Sequence, residues 1–163
     1  MSRRAFMAYD IENQVADTEG KTAGKVYDKE VILTNAELKL LTTAKELVAA
    51  PGPGKLIEFV SAMLFLDYGS DVLTESGADD NLLIEYDNGT GPAVCATIES
   101  GGFIDQDEDQ AMLAVATAVA GSDADTMINK NLALLAADEA FGGNASADTT
   151  MRIKVTYRIH DFN

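Results

Sequence analysis

Residues 45–68 read KELVAAPGPGKLIEFVSAMLFLDY, two apolar runs separated by a Pro-Gly-Pro-Gly tetrad. Proline fixes the backbone φ angle and glycine allows a positive φ, so the tetrad predicts a tight turn that neither a helix nor a strand crosses. Nine of the eleven residues from 56 to 66 are apolar, and such density is typical of a strand that is covered on both faces. We therefore predict that residues 56–66 form the central strand of an all-β domain.

The rest of the chain predicts further short strands separated by turn residues. The Asn-Gly pair within residues 87–91 is a strong hairpin signal. Residues 111–120 fit a buried strand and a short helix equally well, and Asn35 is predicted to cap a single helical turn. The other predicted strands are residues 26–34, 42–50, 82–87, 93–100, 125–139 and 151–162.

Residues 151–162 alternate most clearly between apolar and polar side chains. Because successive side chains of a strand point to opposite faces, one face is predicted to be buried and the other to meet solvent or a partner. The predicted buried face holds Ile153, Val155, Tyr157 and Ile159, and the predicted open face holds Arg152, Lys154, Thr156, Arg158 and His160. Seven or eight short strands with Gly, Asn and Asp turns predict an antiparallel β-sandwich, for which a jelly roll is one candidate topology.

The predicted domain organisation is an extended N-terminal arm, residues 1–25, followed by the β-sandwich domain, residues 26–163. The arm has no sustained apolar period. A cluster of basic and aromatic side chains near its start gives the candidate partner-contact residues, which are Arg3, Arg4, Phe6, Met7 and Tyr9. The alternative is a frayed terminus without a role.

Charge is distributed unevenly along the chain. The net charge is −15, and the segment from 56 to 129 contains fifteen Asp and Glu residues and no Lys or Arg. Such a segment repels phosphate, so nucleic-acid binding through it is not expected. An acidic surface that keeps the protein soluble is favoured over a dedicated cation site.

No residue pattern identifies a catalytic, cofactor or metal site. Cys95 lies in an alternating run, which favours a small buried side chain over a nucleophile, and one cysteine with one histidine cannot make a zinc site. The acidic run from 105 to 109 departs from an EF-hand, since Gln110 and Ala116 stand where glycine and glutamate are required. No apolar run is long enough for a membrane helix, and no signal peptide is evident. We expect a soluble protein made in a cytoplasm.

Several segments together resemble a family of small virion proteins of tailed bacteriophages. These segments are LTNAELKLL, APGPGK, an apolar strand ending in LDYG, LLIEYDNGTG and the closing MRIKVTYRIHDF. The resemblance as a whole spans residues 33–162. The resemblance implies a non-enzymatic β-sandwich that decorates or cements the capsid or builds another part of the particle. It implies no catalytic residues.

The leading hypothesis is a capsid decoration or cement protein on the exterior of the virion. Its partners would be the major capsid protein and copies of itself, as a homotrimer. The alternative is a fibre, spike or other tail-associated module that recognises a host carbohydrate. The chain has no Trp, five Tyr and six Phe, which counts against a carbohydrate site. A small hydrolase is disfavoured because nothing singles out one pair of carboxylates.

Overall fold

The apolar run after the Pro-Gly-Pro-Gly tetrad forms the longest strand, Lys55–Asp67. The structure is a computed structural model, and it describes residues 25–75, 77, 81–119 and 123–163. The tetrad is a turn, as predicted: Gly52 and Gly54 have φ angles of 104° and 68°, and the Lys55 N–H donates to the Gly52 carbonyl at 3.2 Å. Residues 1–24, most of the predicted arm, lie outside the described residues.

Nine strands and one helix make up the regular structure of the described residues. The helix α1 spans Asn35–Lys39 and the strands are β1 Val26–Leu33, β2 Lys45–Val48, β3 Lys55–Asp67, β4 Leu73–Thr74, β5 Leu82–Tyr86, β6 Gln110–Val115, β7 Leu132–Ala136, β8 Gly142–Gly143 and β9 Thr150–Asp161. Two single 3₁₀ turns span Asp87–Gly89 and Ala124–Thr126.

Seven of the nine strands lie in two layers, and every ladder among the described strands is antiparallel. One layer has the order β1-β9-β3-β6 and the other has the order β2-β7-β5. Residues 92–98 run along β5 as a fourth, irregular member, since Leu82 and Ile98 exchange two backbone hydrogen bonds of 2.9 Å. The all-β antiparallel sandwich predicted from the sequence is therefore confirmed.

The order of pairing is that of a jelly roll. The outermost pair along the chain is β1 with β9, followed inward by β2 with β7, β3 with β6, and β5 with residues 92–98. These nested pairs are what results when one long antiparallel hairpin is rolled into two four-stranded layers. The two-residue strands β4 and β8 pair beside this frame.

One core lies between the layers. Strand β9 contributes Ile153 and Val155, both fully buried, from the predicted apolar face. Tyr157 and Ile159 of the same face are only half-buried, so the predicted full burial holds for the first half of β9 alone. The Tyr157 ring stacks on Tyr27 of β1 at 5.5 Å.

Four local predictions need correction. The helix is capped by Thr34, whose hydroxyl accepts from the Glu37 N–H, whereas the Asn35 amide is buried and donates to Asn144 Oδ1 at 2.6 Å. Residues 93–100 form bridges rather than a regular strand. The predicted strand at 125–139 is regular only in β7, after a 3₁₀ turn. Two segments outside the predicted strands, Leu73–Thr74 and Gly142–Gly143, pair as β4 and β8.

No helix in the described part of the chain is long and apolar enough to span a bilayer.

Candidate contact surface

The outer face of the four-stranded layer carries the basic row predicted for β9. Its side chains point away from the core because they alternate with Ile153 and Val155. Three contacts run to the neighbouring strands: Arg152 to Asp67 at 2.8 Å, Lys154 to Glu30 at 3.5 Å and Arg158 to Glu58 at 3.0 Å. The cations of β9 are thus matched by carboxylates of β1 and β3.

Glu58 joins two members of this row. Its carboxylate accepts from Arg158 and lies 2.7 Å from His160 Nε2. The hydrogen bond to His160, followed by the contacts with Arg158, lowers the pKa of Glu58 below its ordinary value. The lone histidine is therefore held in a structural pair on the face of β9 that was predicted to be open.

The opposite side of the same face, along strand β6, is apolar rather than charged. Leu113 and Val115 are each 57 % exposed, and Met63 of β3, which pairs with Leu113, is 44 % exposed. We call these three residues the β6 strip. A groove of about 560 Å³ runs beside it and is lined by Met63 and Leu113 together with polar residues of β1, β3 and β9. The prediction that both faces of the central strand are covered is wrong at Met63, as far as the described residues show.

An acidic segment adjoins the strip. Residues 105–109, which we call the acidic loop, lead directly into β6 and contain Asp105, Asp107, Glu108 and Asp109. The Asp109 carboxylate accepts from the Tyr68 N–H at 2.9 Å, and Asp105 accepts from the Gly102 N–H at 2.7 Å. Among the described residues, no ion pair involves any of these four carboxylates, so this loop keeps its negative charge unmatched there.

An apolar pocket of about 420 Å³ lies near the C-terminal end of β9. Leu56, Val94, Met127 and Phe162 contribute to its wall. Tyr86 also lines the pocket, and its buried hydroxyl donates to the Ile57 carbonyl. Burial, with a smaller contribution from nearby Glu58, raises the pKa of Tyr86 from its ordinary 10.0 to about 12.

Reactive groups are few in the described structure. Cys95 is buried, and its desolvation raises the pKa of the thiol, which agrees with the prediction of a structural side chain. No group of three or more His, Cys, Asp or Glu residues within the described ranges could hold a metal ion.

The contact residues predicted from sequence, Arg3, Arg4, Phe6, Met7 and Tyr9, lie outside the described residues and remain predictions. Sequence reasoning missed the β6 strip. Residues 111–120 are almost all apolar or small. Buried and exposed positions of β6 therefore do not differ in polarity, and the sequence shows no alternation that would mark the exposed side chains.

Comparison with known proteins gives little further guidance. No protein-family model matches the chain. No curated protein matches it either. Among solved structures, a chain from a study of "structural plasticity in a picornavirus capsid", an expanded equine rhinitis A virus particle, is similar at 10 % identity and a TM-score of 0.30. The match covers 99 % of this chain and 82 % of that one. At this TM-score the similarity carries no argument about fold or function.

Proposed function

We propose that this chain is a non-enzymatic structural protein of a tailed-bacteriophage virion, which binds the exterior of the assembled head as a decoration or cement protein. The observation that carries the proposal is the outer face of the four-stranded layer. It combines a charge-paired row on β9 with the exposed apolar β6 strip on one broad sheet surface. Such a combination suits adhesion to another protein surface.

The sequence resemblance over residues 33–162 gives the proposal its biological setting. An unmatched negative charge of −15 is suited to the solvent side of a particle, because like charge keeps crowded particles apart. The partners would be the major capsid protein and further copies of this chain, arranged as a homotrimer.

The mechanism is adhesive. A protein that binds the assembled shell but not free subunits stabilises assembly by mass action. Many copies on one lattice multiply a contact that is weak for each copy. No catalytic step is required, and the N-terminal residues 1–25 would add a tether to a neighbouring subunit.

The test is to add purified protein to heads that lack it. We expect saturable binding in a ratio comparable with that of the major capsid protein, no binding to unassembled capsid subunits, and a higher temperature of head disruption. The truncated chain that lacks residues 1–25 serves as a variant for the tether and should fold but dissociate from heads more readily. Binding to tails in a small fixed number would instead favour the fibre or spike alternative, and equal affinity for free subunits would overturn the cement mechanism.

A further inference from the structure

Strand β6 is an edge strand, and the described structure pairs it only with β3 along Gln110–Val115. It carries no charged residue along its length. Its outward side chains, Ala111, Leu113 and Val115, are exposed. Edge strands without charge, proline or cover readily accept a further strand from another chain, and added strands gain affinity from backbone hydrogen bonds.

The N-terminal residues offer a segment that matches this edge in sequence. Arg3, Ala5, Met7 and Tyr9 share one parity. The outward parity on and before β6 reads Asp109, Ala111, Leu113 and Val115. Aligned in parallel, these pairs are cation with carboxylate, small with small, and apolar with apolar twice.

The opposite parity of the two segments is also compatible. Phe6 would lie beside Met112, which is partly buried and packs on the core, and Ala8 would lie beside the buried Ala114. Arg3 and Arg4 would both approach the acidic loop, whose carboxylates form no ion pair in the described part of the chain. Charge complementarity and apolar complementarity thus select the same register.

We propose that residues 3–9 of a neighbouring copy of this chain add to β6 as a parallel strand, with Arg3 at Asp109 and Met7 at Leu113. The donor segment leads into β1, which lies at the opposite edge of the same layer. A contact from one edge to the other is head-to-tail, and its repetition gives a ring where the rotation between copies closes and a filament where it does not. The inference rests on the self-association within the proposed function and names its contact, but it does not depend on attachment to a head.

Disulfide trapping tests the register directly. A Met7→Cys chain is mixed with a Leu113→Cys chain of different size tag under mild oxidation. The native thiol does not compete because Cys95 is buried. We expect a linked heterodimer on a non-reducing gel, since adjacent strands bring facing Cβ atoms within disulfide reach.

Ile32→Cys is the matched control for Leu113→Cys, because Ile32 is 55 % exposed on the same outer face but on β1. Linking to Ile32→Cys at the same rate as to Leu113→Cys would overturn the proposal. A chain carrying both Met7→Cys and Leu113→Cys that forms only an internal disulfide would show docking within one copy, which also overturns it.

Sedimentation of the full chain provides an independent measurement. Leu113→Asp and Arg3→Glu should each weaken self-association about tenfold or more, whereas Ile32→Asp should change it less than about twofold. The charge swap Arg3→Glu with Asp109→Arg should recover part of the loss, relative to either single variant. Unchanged association in Leu113→Asp, with the fold intact by circular dichroism, would sink the proposal. Trapping that succeeds in a protein that binds no heads would refute only the proposed function.

Discussion

The two edge strands of the four-stranded layer differ in the charge they carry. Strand β1 presents Asp28, Lys29 and Glu30 in its centre, whereas β6 has no charge between Gln110 and Val115. Charges on an edge strand discourage addition of another strand, because pairing would desolvate them. Strand β1 is therefore protected against edge pairing, and β6 is left open to it. The difference indicates that edge pairing in this sandwich is directed to one side.

The largest effect is expected from a substitution in the core that supports both edge strands. Val155 is fully buried in β9 and pairs with Ala62 of β3. Val155→Asp places an unpaired charge in the core and should cost several kcal/mol, a large part of the roughly 5–15 kcal/mol that stabilises an ordinary domain. Urea unfolding measures the loss.

Leu113→Asp introduces the same side chain on exposed β6 and is the control for Val155→Asp. It should remain folded, with a change in stability of about 1 kcal/mol or less. Equal destabilisation by the two substitutions would mean that β6 is not an exposed edge.

A second prediction concerns the contact between the layers. The Tyr86 hydroxyl of β5 donates to the Ile57 carbonyl of β3. Tyr86→Phe leaves that buried carbonyl without its partner and should cost about 1–3 kcal/mol of unfolding free energy. Tyr27→Phe on β1 keeps its ring stacked on Tyr157 and should cost less. If the Tyr27 variant proved the less stable of the two, the edge would matter more than the interlayer bond.

A third prediction converts the protected edge into an open one. The double substitution Asp28→Val and Glu30→Val removes an exposed ion pair to Lys154 and a hydrogen bond from Thr156. Folding stability should change by only about 1 kcal/mol, but self-association should appear through β1. The measurement is sedimentation in a Leu113→Asp background, which suppresses pairing through β6. A strictly monomeric product would show that the two carboxylates are not what protects β1.

The smallest predicted effect lies where β1 ends. The Glu37 carboxylate accepts from the Thr34 N–H at 2.9 Å and contacts Lys45. The hydrogen bond from Lys45, followed by those from Thr34, lowers the pKa of Glu37 from its ordinary 4.5 to about 2. Because the folded-state pKa lies below the unfolded value, this contribution is present above pH 4.5 and is lost as the pH falls toward 2.

Glu37→Gln keeps the capping geometry and removes the charge, so the cost at neutral pH should be about 0.2–1 kcal/mol for this exposed pair. The difference in unfolding free energy between the parent and Glu37→Gln should shrink between pH 4.5 and about 2. A difference that stays constant over that range would contradict the pairing with Lys45.

Sequence patterns predicted correctly the strands in which buried side chains are apolar and exposed side chains are polar, and the turns marked by proline and glycine. The alternation in β9 separates Val155 from Lys154 by polarity, and the prolines and glycines at 51–54 mark the turn. Strand β8 consists of Gly142 and Gly143, which carry no side-chain signal. In β6 both the inward Met112 and the outward Leu113 are apolar. Only the pairing with β3 establishes which of them is exposed, so the β6 strip could not be read from sequence, whereas the basic row on β9 could.

The pairing of the first strand with the last also has a consequence during synthesis. Leu33 at the end of β1 pairs with Met151 near the start of β9. At ribosomal rates of about 5–20 residues per second, β1 waits on the order of ten seconds for its partner. During that time the apolar β3 lacks β9 as well, and the nascent chain is open to chaperones. Ribosome-bound chains that end before residue 150 should therefore be digested by protease. Chains long enough for the whole of β9 to have left the exit tunnel should resist the protease.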